Sequence, residues 1–98
     1  AYHNPWILTE IDQIVYGDVA FTRSRDDIVE DVISYARTRE DSDPSTKAII
    51  RHIMGIYAGE PGARLWRRTL SESAGKGLAP SACIAAALET RREIPGAA

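Results

Sequence analysis

The sequence predicts an all-α fold, a small helical bundle of four to five helices, on three observations. Apolar residues recur at spacings of three and four, helix start and stop signals punctuate the chain at short intervals, and no short apolar run fits a period of two better than 3.6. With 98 residues and 44% apolar side chains, one small soluble domain is the natural size. A globule of this length buries only about two thirds of its unfolded surface, so every helix has to contribute to one core.

The elements follow in order. Asn4-Pro5 reads as a helix start, with Asn as N-cap and Pro at the first helical position. Trp6, Ile7, Ile11, Ile14 and Val15 then hold a helical period until Gly17 stops the run. Ser24, with Asp27 three residues on, is a shortened capping box. It opens a second helix whose apolar stripe is Ile28, Val29, Val32, Ile33 and Ala36, while Asp26, Asp27, Glu30 and Asp31 are expected to face water near the positive end of the helix dipole. Asp41 to Ser45 is a loop by composition.

A third helix is predicted from Asp43-Pro44 to Tyr57, with Ile49, Ile53, Ile56 and Tyr57 on one face and Lys47 and Arg51 opposite. Gly55 would lie mid-helix, where glycine is costly, which suggests a close approach there. After the turn residues Gly59-Glu60-Pro61-Gly62, a fourth helix runs from about Ala63 to Ser73 and turns Leu65, Trp66, Thr69 and Leu70 inward. The short connection predicts an antiparallel hairpin of the third and fourth helices, with Trp66 against Ile53 and Tyr57. The last helix follows Pro80, turns Cys83, Ile84, Ala87 and Leu88 inward, and ends at Pro95-Gly96.

Charge narrows the function. The formal net charge is −2, which excludes a uniformly basic nucleic-acid binder. One cysteine excludes a disulfide framework, and no Cys/His spacing resembles a metal site. No apolar run approaches the roughly 20 residues of a membrane helix. There is no initiator Met, which suggests a piece of something longer, with the cytoplasm as default compartment. The local distribution is less bland than the sum. Residues 44–76 hold Lys47, Arg51, Arg64, Arg67, Arg68 and Lys76 against only Glu60 and Glu72.

Most chemistry-bearing residues read as structural. Cys83 sits among alanines and isoleucine with neither histidine near it in sequence, so it reads as a buried cysteine rather than a nucleophile. His52 lies between the apolar and basic faces of its helix and reads as a packing residue. No pair of carboxylates faces inward for acid/base work, and no glycine loop has a phosphate-cradling pattern. The basic ridge is the exception. Arg64, Arg67 and Arg68 share one face of the fourth helix, Lys47 and Arg51 lie on the neighbouring helix, and Glu72 is placed to pair with Arg68. Gly62 adds free backbone N–H groups at a helix start. Arg91 and Arg92 lie outside the ridge and are expected to contribute little to the binding of a polyanion. On the residues alone, a nucleic acid, an acidic protein partner and a merely solvated face all stay open.

The runs Ile49-Ile50-Arg51-His52-Ile53-Met54-Gly55-Ile56-Tyr57, Gly59 to Arg64, Trp66-Arg67-Arg68 and Leu70-Ser71-Glu72 resemble the C-terminal signature of the bacterial, A-type tRNA-dihydrouridine synthases. The opening Ala1-Tyr2-His3-Asn4-Pro5-Trp6, with Asp12 and Tyr16-Gly17, resembles the stretch after the last barrel strand of those enzymes. The resemblance covers roughly residues 1–73. It implies a two-domain flavoenzyme parent, in which an FMN-bearing barrel uses NADPH to reduce D-loop uridines of tRNA and a helical domain grips the tRNA.

On that resemblance, residues 1–18 are the end of the last barrel helix region, and residues 19–98 are the C-terminal helical tRNA-binding domain. Arg51, Arg64, Arg67 and Arg68 inherit the tRNA-gripping role, and Lys47 joins them on the helical-wheel argument. The chain itself would have no catalytic, cofactor or metal residues, because FMN and NADPH belong to the parent. Its partners would be tRNA and the N-terminal barrel, which would cover Trp6, Ile7 and Ile11. The rival reading is a helical protein-interaction module docking an acidic or apolar partner. Ile50, where the family pattern has Thr, and Ser73-Ala74-Gly75, in place of Asn-Ala-His, depart from the signature.

Overall fold

A computed structural model describes residues 6–16 and 24–94, without the side chains at 6–8 and 16. The described residues form five α-helices and no strand: α1 (Trp6–Tyr16), α2 (Arg25–Arg39), α3 (Lys47–His52), α4 (Ala63–Gly75) and α5 (Pro80–Arg92). A single 3₁₀ turn, Pro44–Thr46, leads into α3. The Asn4-Pro5 start, the Gly17 stop, the packing of Trp6 and Ile7, the Pro95-Gly96 end and the 18/19 domain boundary all lie outside the described residues.

One core unites the helices. Ile11 and Val15 of α1, the whole predicted stripe of α2, Ile49 and Ile50 of α3, Trp66 and Leu70 of α4, and Cys83, Ile84, Ala87 and Leu88 of α5 are buried together. Each large aliphatic side chain so buried is worth about 1.5–3 kcal/mol against exposure. Ile11 is fully buried within this core, so it is not part of a face waiting for the barrel.

Local signals explain the boundaries. The Ser24 hydroxyl accepts from the Asp27 N–H at 3.1 Å, the predicted cap of α2. At the end of α4, Gly77 has φ +81°, its N–H donates to the Ala74 carbonyl and the Leu78 N–H donates to the Ser73 carbonyl. These two bonds are a Schellman stop, which only a residue free to adopt positive φ makes without strain. Ala79, the residue just before α5, offers no side-chain cap. Glu40 caps the helix from the end of α2 instead, accepting from the Ser81 N–H at 2.9 Å and the Ser81 hydroxyl at 2.7 Å.

Three expectations need correction. α3 ends at His52 rather than Tyr57, and residues 53–59 follow as turns with i to i+3 bonds from Ile53 to Ile56 and Gly55 to Ala58. Gly55, a poor helix former, falls within this segment, and the turn carbonyls are held by distant donors instead: the Trp66 indole donates to the Ile53 carbonyl at 3.3 Å and Arg25 Nε to the Ile56 carbonyl at 3.1 Å. Gly55 therefore lies in a turn, and a Cβ there would meet nothing, so no close approach requires it.

The closest partner of α4 is α5, with which it forms an antiparallel hairpin, rather than α3. The glycine with a packing reason is Gly62, at φ +83°, where a Cβ would come within 3.0 Å of Arg91 and 3.1 Å of Ile94. Trp66 nevertheless packs as expected, fully buried and edge-on to Tyr57 at 4.8 Å between ring centroids.

Candidate functional site

The acidic start of α2 holds the largest surprise. Asp26 does not simply face water. Its carboxylate accepts from the Tyr57 hydroxyl at 2.6 Å, from Arg91 Nη1 at 3.2 Å and from Arg92 Nε at 3.1 Å. Burial by itself raises the Asp26 pKa, but the Tyr57 and Arg92 hydrogen bonds and the two guanidinium charges outweigh it and hold the carboxyl below its ordinary value. Burial and the Asp26 carboxylate push the Tyr57 phenol upward.

Arg91 is 4% exposed and stacks over the Tyr57 ring, so this cation outside the ridge is part of the packed structure. The pairing joins residues 65 positions apart, which helical spacing alone has no way to register.

A similar clasp ties α1 to the body. The Tyr35 hydroxyl donates to Glu10 at 2.6 Å, and Arg39 pairs with the same carboxylate at 3.4 Å. Burial and the Glu10 contact push the Tyr35 phenol up to about 12. His52 is exposed and hydrogen-bonds Asp12 across the α1–α3 contact at 2.5 Å, so the expected hydrogen-bonded histidine is found at the surface rather than in the packing. Cys83 is fully buried, donates weakly to the Leu78 carbonyl at 3.5 Å and has its pKa raised by burial, which is the opposite of an activated thiol. No cluster of three metal-ligating side chains exists among the described residues. No described helix is long and apolar enough to cross a membrane.

Against these paired charges the ridge stands apart. Lys47, Arg51, Arg64 and Arg67 are exposed and have no ion pair among the described residues. Arg68 is partly neutralised by Glu72 at 3.6 Å, at the predicted i+4 spacing. Elsewhere, Arg25 is held by Glu60, Arg39 by Glu10, and Arg92 by Asp26 and Glu30. Arg37 and Lys76 are also unpaired, but Arg37 lines the α2–α5 groove alongside Glu30 and Glu89.

A groove of about 410 Å³ lies between α3 and the end of α4, and Arg64, Arg67 and Arg68 are not among the residues lining it. Lys47 and Arg51 form its α3 wall, and Ser71 stands on its α4 wall one turn beyond Arg67. No carboxylate is among the residues lining it. Lys47 and Arg51 thus present two exposed cations along this groove, and Arg64 and Arg67 present two more on α4, charges of the kind a polyanion requires.

Comparison with known proteins puts this surface in context. The tRNA-dihydrouridine(20/20a) synthase of Shewanella oneidensis is 38% identical over 76 residues, covering 78% of this chain. The chain is homologous to a part of the tRNA-dihydrouridine(20/20a) synthases. The synthase of Yersinia pestis is 40% identical over 76 residues, 78% of the chain. That of Synechocystis sp. is 31% identical over 96 residues, 98% of the chain. The matches span 22–28% of the length of these three relatives, so the homology is to about a quarter of a synthase. No family profile matches the chain, and no solved structure matches it.

Proposed function

We propose that this chain is the tRNA-binding helical domain of an FMN-dependent tRNA-dihydrouridine synthase, and that Lys47, Arg51, Arg64, Arg67 and Arg68 grip the tRNA backbone. The observation that carries this reading is the charge state of the ridge. Lys47, Arg51, Arg64 and Arg67 are exposed without a carboxylate partner, in a molecule that pairs most of its other described guanidiniums. Such cations neutralise phosphates at little cost, because no existing ion pair has to break. Arg68 contributes less, since Glu72 competes for it. The N–H groups at the Gly62 start of α4 add a backbone anion contact beside Arg64.

The chemistry belongs to the parent. FMN and NADPH would serve a barrel that reduces D-loop uridines in the cytoplasm, residues 1–18 would lead out of that barrel, and 19–98 would be the gripping domain. Since the flavin is assigned to the barrel of the parent, the chain alone should be colourless and leave tRNA uridines unreduced when given FMN and NADPH.

The alternative of a protein-interaction module is separated by salt. Binding through phosphates weakens steeply between low and physiological salt, whereas docking through apolar surface holds or strengthens. A tRNA affinity indifferent to salt would favour the interaction module.

A further inference from the structure

The α3–α4 groove has more than charge. Its floor and far wall are apolar, with Ile50 buried, Met54 half-buried and Leu78 46% exposed, which makes Leu78 the exposed large hydrophobic side chain of the described residues. Leu78 is held in that position by the Schellman stop of α4, in which its own N–H is tied to the Ser73 carbonyl. One rim therefore carries two unpaired cations four residues apart, the other a free serine hydroxyl, and an aliphatic and thioether surface lies between them. A volume of about 410 Å³ falls within the roughly 300–1,000 Å³ of small-molecule sites.

A phosphate on the surface needs only the cations. The apolar floor calls for an occupant that is anionic at one edge and flat and apolar at the other. A peptide of acidic residues alone would satisfy Lys47 and Arg51 but would set polar groups against Met54 and Leu78. We propose that this groove seats one unstacked nucleotide of the bound RNA, its base against Met54 and Leu78 and its phosphate on Lys47 and Arg51, with Ser71 hydrogen-bonding the sugar or base edge. This rests on the tRNA-binding reading above and adds to it a site for a base, where the ridge alone would hold only backbone. Met and Leu faces hold bases less strongly than aromatic rings do, so the site would favour an unstacked nucleotide without reading its sequence strictly.

The test is a titration of the chain, labelled at methyl groups, with a short single-stranded oligouridylate, with its abasic counterpart of equal charge, and with a polyglutamate peptide. The oligouridylate is expected to shift the Met54 and Leu78 methyl resonances and to bind about three- to fivefold more tightly than the abasic chain. Leu78→Ser, at an exposed loop position, should abolish that difference. Ser71→Glu, on an exposed helix surface that accepts glutamate readily, should weaken both RNA probes.

Equal binding of the two RNA probes with silent Met54 and Leu78 methyls would overturn the nucleotide site and leave the backbone-gripping ridge intact. Failure of both RNA probes to bind would overturn both readings. Stronger methyl shifts with polyglutamate than with RNA would assign the groove to an acidic protein segment instead.

Discussion

The guanidinium of Arg91 sits over the ring of Tyr57, 3.8 Å from its centroid, and joins the end of α5 to the turns that follow α3. Asp26 completes the unit from the start of α2, accepting from both residues. Three segments remote in sequence thus meet through one buried charge and its partners, just behind the Gly62 start of α4. That start is packed against Arg91 itself, so the ridge helix depends on this unit for its placement.

Removing Arg91 should accordingly be costly. Arg91→Ala takes away a buried cation and leaves Asp26 and the Tyr57 face short of a partner, with an expected loss of about 3 kcal/mol. For a domain of this size that corresponds to a fall in Tm of more than about 10 °C, readable by circular dichroism. Arg92→Ala, at the exposed edge of the same carboxylate, should cost well under half as much.

The Asp26 carboxyl also sets an acid limit. Its folded pKa lies below the ordinary 3.8, so as pH falls the unfolded chain takes up the proton first. Its stabilising contribution is therefore fully present above about pH 5, begins to fade as pH drops towards 3.8, and is lost once pH passes the folded pKa. Urea melts from pH 7 down to pH 2 should show a steep acid limb, and Asp26→Asn should be less stable at neutral pH with a shallower limb. An unchanged limb in that variant would assign acid sensitivity to other carboxylates.

Trp66 is the core's largest fully buried side chain. Trp66→Ala should cost about 3–5 kcal/mol. Trp66→Phe keeps the edge-on contact with Tyr57 but abandons the Ile53 carbonyl, for about 1–2 kcal/mol. Chemical denaturation of the two variants separates packing from the hydrogen bond.

The cap that Glu40 supplies to α5 is a tertiary one, and Glu40→Ala should cost about 1–2 kcal/mol. Hydrogen exchange should locate the loss, with the first-turn amide of Ser81 losing protection ahead of the middle of α5.

These four predictions also mark where sequence reasoning reaches its limit. Whatever is encoded within one turn was legible: the Ser24 cap, the α2 stripe, the inward face of α5 and the Arg68–Glu72 pair all follow from spacings of three and four. So was the packing of Trp66, because a long apolar side chain on the inner face of a short helix has few places to go. The early end of α3 was not legible, since the turns that follow it are held by donors from Trp66 and Arg25. The Asp26–Arg91 pairing and the Glu40 cap were hidden for the same reason, their partners being 65 and 41 residues away.

For the candidate site, helical spacing located the cations, but it carried no information on which would remain unpaired. That depends on where the fold delivers each carboxylate. Glu60 went to Arg25, and Glu10 to Arg39, leaving Lys47, Arg51, Arg64 and Arg67 without an ion pair among the described residues.

The central claim is that the unpaired ridge grips tRNA phosphates, and the most direct measurement is the salt dependence of tRNA affinity, by fluorescence anisotropy, across a set of single variants. Four free cations at about 0.7–0.9 released counterions each predict a log–log slope near −3. Lys47→Ala, Arg51→Ala, Arg64→Ala and Arg67→Ala should each weaken binding and reduce the slope by about one unit, Arg68→Ala should do less, and Arg37→Ala, exposed and unpaired in the groove that also holds Glu30 and Glu89, should leave both unchanged. If Arg37→Ala behaves like the ridge variants, or if none of them moves the slope, the ridge is a solvated surface and the account is contradicted.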